Sequence, residues 1–197
     1  MAYIVYENGM SVARWVLSVC LAVIIPTIAW AENMSVGLGP TGHFFLIDGT
    51  PQLSPGFGGH VYFDYRWAPQ ISTQFGIDVT TEGGKGPQAG DNDILFFAIP
   101  TVDFKYYFVK SSGRIDPYAL LGIGFFMTSE GSADNGTLAM GLGANAGVGV
   151  DLYFTPAVSA NIGATFHSIG MIQSLSGANN GSGLFPVTAS GSVAFHF

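Results

Sequence analysis

Six charged side chains sit at spacings that β-strands would turn into shared chemistry. Asp64 and Arg66 are two residues apart, as are Asp103 and Lys105, while Asp116 and Asp151 lie on later segments. A residue and its second neighbour point to the same face of a strand, so each acid–base couple would look the same way. Two bases among four acids allow two kinds of chemistry. Enclosed, they form a buried ion-pair network, because charges taken out of water must be paired. Left open, the excess acid would line a cation path or a proton-linked gate. The network Asp64, Arg66, Asp103, Lys105, Asp116 and Asp151 is the expectation here.

The four histidines are His43, His60, His167 and His196, and no two of them sit at metal-ligand spacing on one strand. Interior hydrogen bonding is their expected role, with no metal and no cofactor. Gly141, Gly143, Gly147 and Gly149 share one parity. Their spacing misses the nucleotide-loop fingerprint and no helix follows. Such a row makes room for large residues opposite, Tyr118, Tyr153 or Tyr62, or else marks a cavity.

The elements that must carry these residues show in the alternation of the chain. From Leu138 to Phe154 one parity is wholly apolar, and the other is Ala139, Gly141, Gly143, Asn145, Gly147, Gly149, Asp151 and Tyr153. Period two over that length is a strand with one apolar face. The pattern recurs about eight times in 197 residues, of which 48% are hydrophobic and only 10% charged. A soluble domain carries about a quarter charged residues. Beyond the N-terminus no run approaches the roughly 20 apolar residues of a spanning helix. Alternation, low charge and an export signal together imply a barrel with lipid outside and polar groups inside. Arg14, the apolar stretch Trp15 to Ile28 and Ala29-Trp30-Ala31 read as a signal peptide over 1–31, with Met10 as an alternative start and the barrel over 32–197. Cys20, the one cysteine, falls inside that signal, so no disulfide is expected. A formal charge of −7 argues against nucleic acid as a partner.

Eight strands are expected, at about 35–47, 57–67, 71–80, 94–108, 115–127, 138–154, 158–168 and 185–197. Three connections are short (68–70, 109–114, 155–157) and four are longer and rich in Gly, Ser, Asn and Asp. Short turns on one side and long loops on the other are the asymmetry of outer-membrane barrels, and put both termini on the periplasmic side. Outward aromatics should then gather at the two membrane interfaces. Tyr65, Trp67, Tyr106, Phe108, Phe154, Phe195 and Phe197 fall at the short-turn end, and Phe57, Phe96, Phe125, Phe166 and Phe185 at the other. Pro40 and Pro100 interrupt strands that have no edge to excuse a missing donor, so a bulge or frayed stretch is expected at each. A bulge at Pro100 would flip the parity of Leu95 to Ile99.

The segment Pro117-Tyr118-Ala119-Leu120-Leu121-Gly122-Ile123-Gly124 and the closing Val193-Ala194-Phe195-His196-Phe197 resemble those of the small outer-membrane β-barrel proteins of the OmpX and OmpA-barrel type, over roughly 34–197. The resemblance implies an all-β, eight-stranded antiparallel up-and-down transmembrane barrel. It also implies recognition of the terminal signal, Phe195 and Phe197, by the barrel assembly machinery. Unlike the OmpA type, no periplasmic peptidoglycan-binding domain is expected to follow, and the size is nearer the OmpX type. Outer-membrane lipid and lipopolysaccharide are the expected surroundings of a monomer.

An eight-stranded interior is just wide enough for side chains or one small ligand. The expected function is therefore non-catalytic: a structural or surface-interaction role through extracellular loops carrying Glu82, Asp91, Asp93, Glu130 and Asp134 against Lys85. The alternative is a narrow channel for small or apolar solutes. A third reading is a lipid A-modifying enzyme. His167-Ser168 resembles the Ser and His of barrel deacylases, but adjacent strand residues point to opposite faces, and no acid follows Asp151.

Overall fold

The computed structural model describes residues 33–45, 55–83, 93–109, 114–130, 137–172 and 183–197. The expected signal segment, most of the four long connections, and Lys85, Asp91 and Asp134 lie outside the described residues. The strands are β1 (Met34–Phe45), β2 (Gly56–Ala68), β3 (Ile71–Gly83), β4 (Asp93–Tyr107), β5 (Ile115–Glu130), β6 (Thr137–Thr155), β7 (Val158–Met171), β8 (Gly183–Leu184) and β9 (Pro186–His196). The short β8 and β9 both pair with β7 and are interrupted only at Phe185, so they make one stave of an eight-stave wall.

Each stave pairs antiparallel with the next in sequence, and β1 pairs with β9 to close the ring. Closure is what lets strands sit in lipid, since every ladder group then finds a partner and no edge remains. Two-residue connections, Pro69-Gln70 and Pro156-Ala157, join β2 to β3 and β6 to β7 at one end of the barrel, called here the turn end. The opposite, loop end carries the longer connections.

Side chains sort by parity as the alternation predicts. On β5, Leu121 and Ile123 are each 68% exposed on the outer face while Asp116 and Phe126 are 0% exposed within. Outer-face aromatics ring the turn end, including Trp67, Tyr106, Phe108, Phe154 and Phe195, all more than half exposed or nearly so. At the loop end Phe44 meets Phe57 edge-on at 6.5 Å, and Phe166 stacks on Phe185 at 6.4 Å.

The two prolines behave differently. At Pro100 the ladders of β4 slip on both sides: Gly76 pairs with Thr101 but Asp78 with Ala98, and Ala98 pairs with Phe126 but Thr101 with Gly124. One extra residue flips the parity of everything beyond it. Thr101, Asp103, Lys105 and Tyr107 point inward below the bulge, and Phe96 and Ala98 point inward above it. The outward placement expected for Phe96 is thereby corrected: it is fully buried inside the barrel, and Leu95 and Ile99 take the outer face. At Pro40 the frayed stretch forms, not the bulge. Leu38 pairs with Val193 and Thr41 with Ser190, so the register runs through unbroken while the β1–β9 ladder skips the Gly39 and Pro40 step.

Candidate functional site

The lumen collects the chemistry-bearing residues of all eight staves, in three tiers. The first tier, at the turn end, is charged. Asp64 and Lys105 reach it from β2 and β4, and their side chains meet at 3.0 Å. Ser72 donates to the same carboxylate at 3.1 Å. The Lys105 ammonium also lies 4.5 Å from the Tyr118 ring centre and 5.2 Å from that of Tyr62, where ring faces add attraction. Arg66 pairs with Asp116 across the barrel at 3.3 Å, donates to the Pro69 carbonyl at 2.7 Å, and packs its guanidinium 3.9 Å from the Tyr107 ring centre. Tyr107 donates to Asp151 at 3.0 Å, and Asn161 donates to Asp151 at 2.6 Å and to the Tyr118 hydroxyl at 2.8 Å. Every charge in this tier thus has either a counter-charge or hydrogen-bond donors, as a low-dielectric interior demands.

The second tier is a directional chain of neutral groups ending on one acid. The Asn145 amide donates to Asp103 at 2.9 Å. Its carbonyl oxygen therefore faces Nδ1 of His167, 2.9 Å away, which must carry the proton. His167 Nε2 is left to accept from the Thr188 hydroxyl at 2.7 Å. All four residues are buried.

The third tier, toward the loop end, is apolar. Phe96, Ala98, Phe126, Ile169 and Leu184 form one buried cluster with Met171 packed against it. His43 lies edge-on to Phe96 at 4.8 Å and bonds Thr80 at 3.0 Å, and the His167 ring lies 5.5 Å from that of Phe126. Inward glycines make the room. A Cβ on Gly124 would come within 2.8 Å of the Phe126 ring and one on Gly143 within 2.9 Å. In the first tier, added carbons on Gly149 and Gly37 would collide with the Tyr118 and Tyr62 rings. Gly37, Gly124, Gly143 and Gly149 are recesses for rings, with Tyr118 and Tyr62 among those named from the sequence, whereas Gly141 and Gly147 of the same row abut backbone and the Ile169, Met171 and Thr165 side chains.

Of the six charged residues singled out by spacing, five meet a named partner in the first tier. Asp103 stands apart in the second, held by Asn145 rather than by a base. Phe195 faces outward on β9, and Phe197 lies just past its end. His196 bonds Ser159 at 2.8 Å beside Tyr153. His167 is buried in the lumen while its neighbour Ser168 is exposed on the outer face. Among the described residues no group of three or more His, Cys, Asp or Glu is arranged to hold a metal ion. Two features escape the sequence reading. The apolar tier does, although Phe126 and Ile169 already had inward parity. The second is that Asp78, whose inward parity on β3 is legible, falls outside the expected charge network, with no base two residues away to draw attention to it.

The sequence profile described as outer membrane protein beta-barrel domain matches residues 17–197. No curated protein sequence matches the chain. Among solved structures, Neisserial surface protein A (NspA) superposes with a TM-score of 0.59 at 14% identity, covering 83% of this chain and 96% of its own. Outer membrane protein W of E. coli gives 0.56 at 16% identity, covering 86% of this chain and 100% of its own. Ail, the attachment invasion locus protein of Yersinia pestis, gives 0.56 at 14% identity, covering 84% and 99%. At these identities the likeness is one of fold.

Proposed function

The chain belongs to the outer-membrane β-barrel domain family, and from that premise we propose that it is a non-catalytic, surface-presenting scaffold whose lumen is closed. The observation that carries this reading is the filling of the lumen at two levels, by the charged tier and by the apolar tier. An eight-stranded interior has no further cross-section to spare once such side chains occupy it. What the wall then offers to the outside is its four long connections, held on a rigid frame. The neighbour Ail is by name an attachment protein, and it shares this frame. The separation of His167 and Ser168 onto opposite faces speaks against the deacylase pairing.

In this reading the turn end with both termini faces the periplasm. Phe195 and Phe197 serve as the signal for the barrel assembly machinery. The outer belt of Leu, Ile and Phe meets lipid and lipopolysaccharide around a monomer. The test is single-channel recording of protein purified from outer membranes and reconstituted in a planar bilayer. The scaffold reading expects a silent membrane containing folded, heat-modifiable protein. Reproducible discrete steps that change when Arg66 or Asp103 is neutralised would replace it with the narrow-channel reading.

A further inference from the structure

The second tier ties four staves together through side chains alone. Asp103 comes from β4, Asn145 from β6, His167 from β7 and Thr188 from β9, and all four are buried. The links measure 2.9 Å from Asn145 to Asp103, 2.9 Å from Asn145 to His167 and 2.7 Å from His167 to Thr188. The two middle members share one property. The Asn145 amide has a donor end and an acceptor end that a half-turn exchanges, and neutral His167 has one donor and one acceptor nitrogen that a change of tautomer exchanges. The Thr188 hydroxyl donates or accepts by rotation. The direction of the whole chain is therefore set from its remaining end, by Asp103.

With Asp103 ionised only one direction is allowed. A carboxylate accepts and cannot donate, so Asn145 gives it the amide N–H, His167 carries its proton on Nδ1, and Thr188 donates to Nε2. With Asp103 protonated the opposite direction opens. The acid O–H donates to the Asn145 oxygen, the amide N–H turns to Nδ1, and Nε2–H donates to the Thr188 oxygen. The change takes up one proton from the medium, which forms the carboxyl O–H. The imidazole loses its Nδ1–H bond, gains an Nε2–H bond and stays neutral.

The charged and titratable groups that face this chain are Lys105, Asp78 and His43. Lys105 acts on Asp103 through space from two residues along β4, but closes its own ion pair with Asp64 at 3.0 Å. Asp78 acts on it from β3. Gln74 of β3 and Gly122 of β5 flank Asp103 in register, and neither carries a charge. Thr101 also donates to the carboxyl, which keeps acceptor capacity in either state. His43 of β1 faces His167 with 6.2 Å between ring centres, and the Phe126 ring of β5 lies 5.5 Å away.

We propose that the second tier is a reversible relay: when Asp103 takes up a proton the chain reverses, His167 exchanges its Nδ1–H tautomer for Nε2–H, and the three bonds that hold β4, β6, β7 and β9 across the lumen all survive. The device goes beyond the scaffold reading and does not depend on it, since the bonds are the same whether or not the lumen conducts. It gives the barrel a crosslink that keeps its partners while the pH changes.

The experiment follows the His167 ring nitrogens by NMR in the purified barrel, carrying isotope-labelled histidine and held in lipid nanodiscs. The His167 signals are identified by their loss in His167→Gln. The pH is lowered from about 8 to about 3, a span that covers the ordinary imidazole and carboxyl ranges. The expected result is an exchange of roles: Nδ1 passes from protonated to bare and Nε2 from bare to protonated, with one ring proton throughout. In Asp103→Asn, which has no carboxyl to titrate, His167 is expected to keep one tautomer ratio at every pH. Asn145→Leu cuts the link to Asp103 and is expected to abolish the exchange. An imidazolium, with both nitrogens protonated at low pH, overturns the proposal, because His167 itself would then be the titrating group. So does a wild-type His167 that keeps Nδ1–H down to the pH of unfolding, or an exchange that persists in a heat-modifiable Asp103→Asn barrel. The wild-type titration decides the matter even where neither variant folds.

Discussion

At the turn end the cross-section of the lumen is filled by Lys105, Arg66 and the acids that hold them, whereas toward the loop end Phe96, Phe126 and Ile169 fill it without a charge. The two fillings differ in how they tolerate damage. In the charged tier each group is needed by a specific partner, so removing one strands another in a medium that penalises it. In the apolar tier the groups answer to volume alone, and neighbours relax partway into a gap. One half of the barrel is specified by pairing and the other by packing.

Substitutions that treat the halves alike should therefore give unlike results. Lys105→Met leaves Asp64 buried beside Ser72 alone and is expected to cost the most, about 3 to 5 kcal/mol in urea-induced unfolding from lipid vesicles. Adding Asp64→Asn to it should recover most of that loss, because the penalty lies in the unpaired charge and not in the missing contact. A double variant no more stable than Lys105→Met would place the cost in packing and erase the contrast.

Phe126→Ala comes next, at about 3 kcal/mol, the lower end of the range for a large aromatic removed from a core. Gly124 and Gly143, which open the recess for its ring, leave no side chain to refill it. No second-site charge change should rescue this variant. The smallest effect is expected for Tyr107→Phe, which removes one donor from Asp151 and leaves Asn161 in place, costing about 1 kcal/mol. A loss as large as that of Lys105→Met would mean that Asp151 depends on the Tyr107 hydroxyl alone, since phenylalanine keeps the ring that packs on Arg66.

The same division explains what could be read from the chain. The charged tier is visible because Asp64 with Arg66 and Asp103 with Lys105 announce their shared face by spacing, and unbroken alternation carries that parity along β2 and β5. The glycine row implied rings opposite, and two of its members, Gly143 and Gly149, meet them. The apolar tier is hidden by one residue. The slip at Pro100 exchanges the faces of Phe96 and Leu95; the proline signals the bulge, but placing Phe96 with the outward aromatics ignores the parity flip that follows from it. Pro40 shows the converse, a proline that costs a ladder step without shifting the register.

The central claim is that the two tiers close the lumen independently, and removing the outer one tests it most directly. The Phe96→Ala/Phe126→Ala barrel, purified from outer membranes and reconstituted in a planar bilayer, should remain silent, because the tier built on Lys105, Asp64, Arg66 and Asp116 still spans the lumen. Discrete conductance steps from that variant, with none from the wild type, would contradict the account and make the aromatic tier the sole gate of a channel.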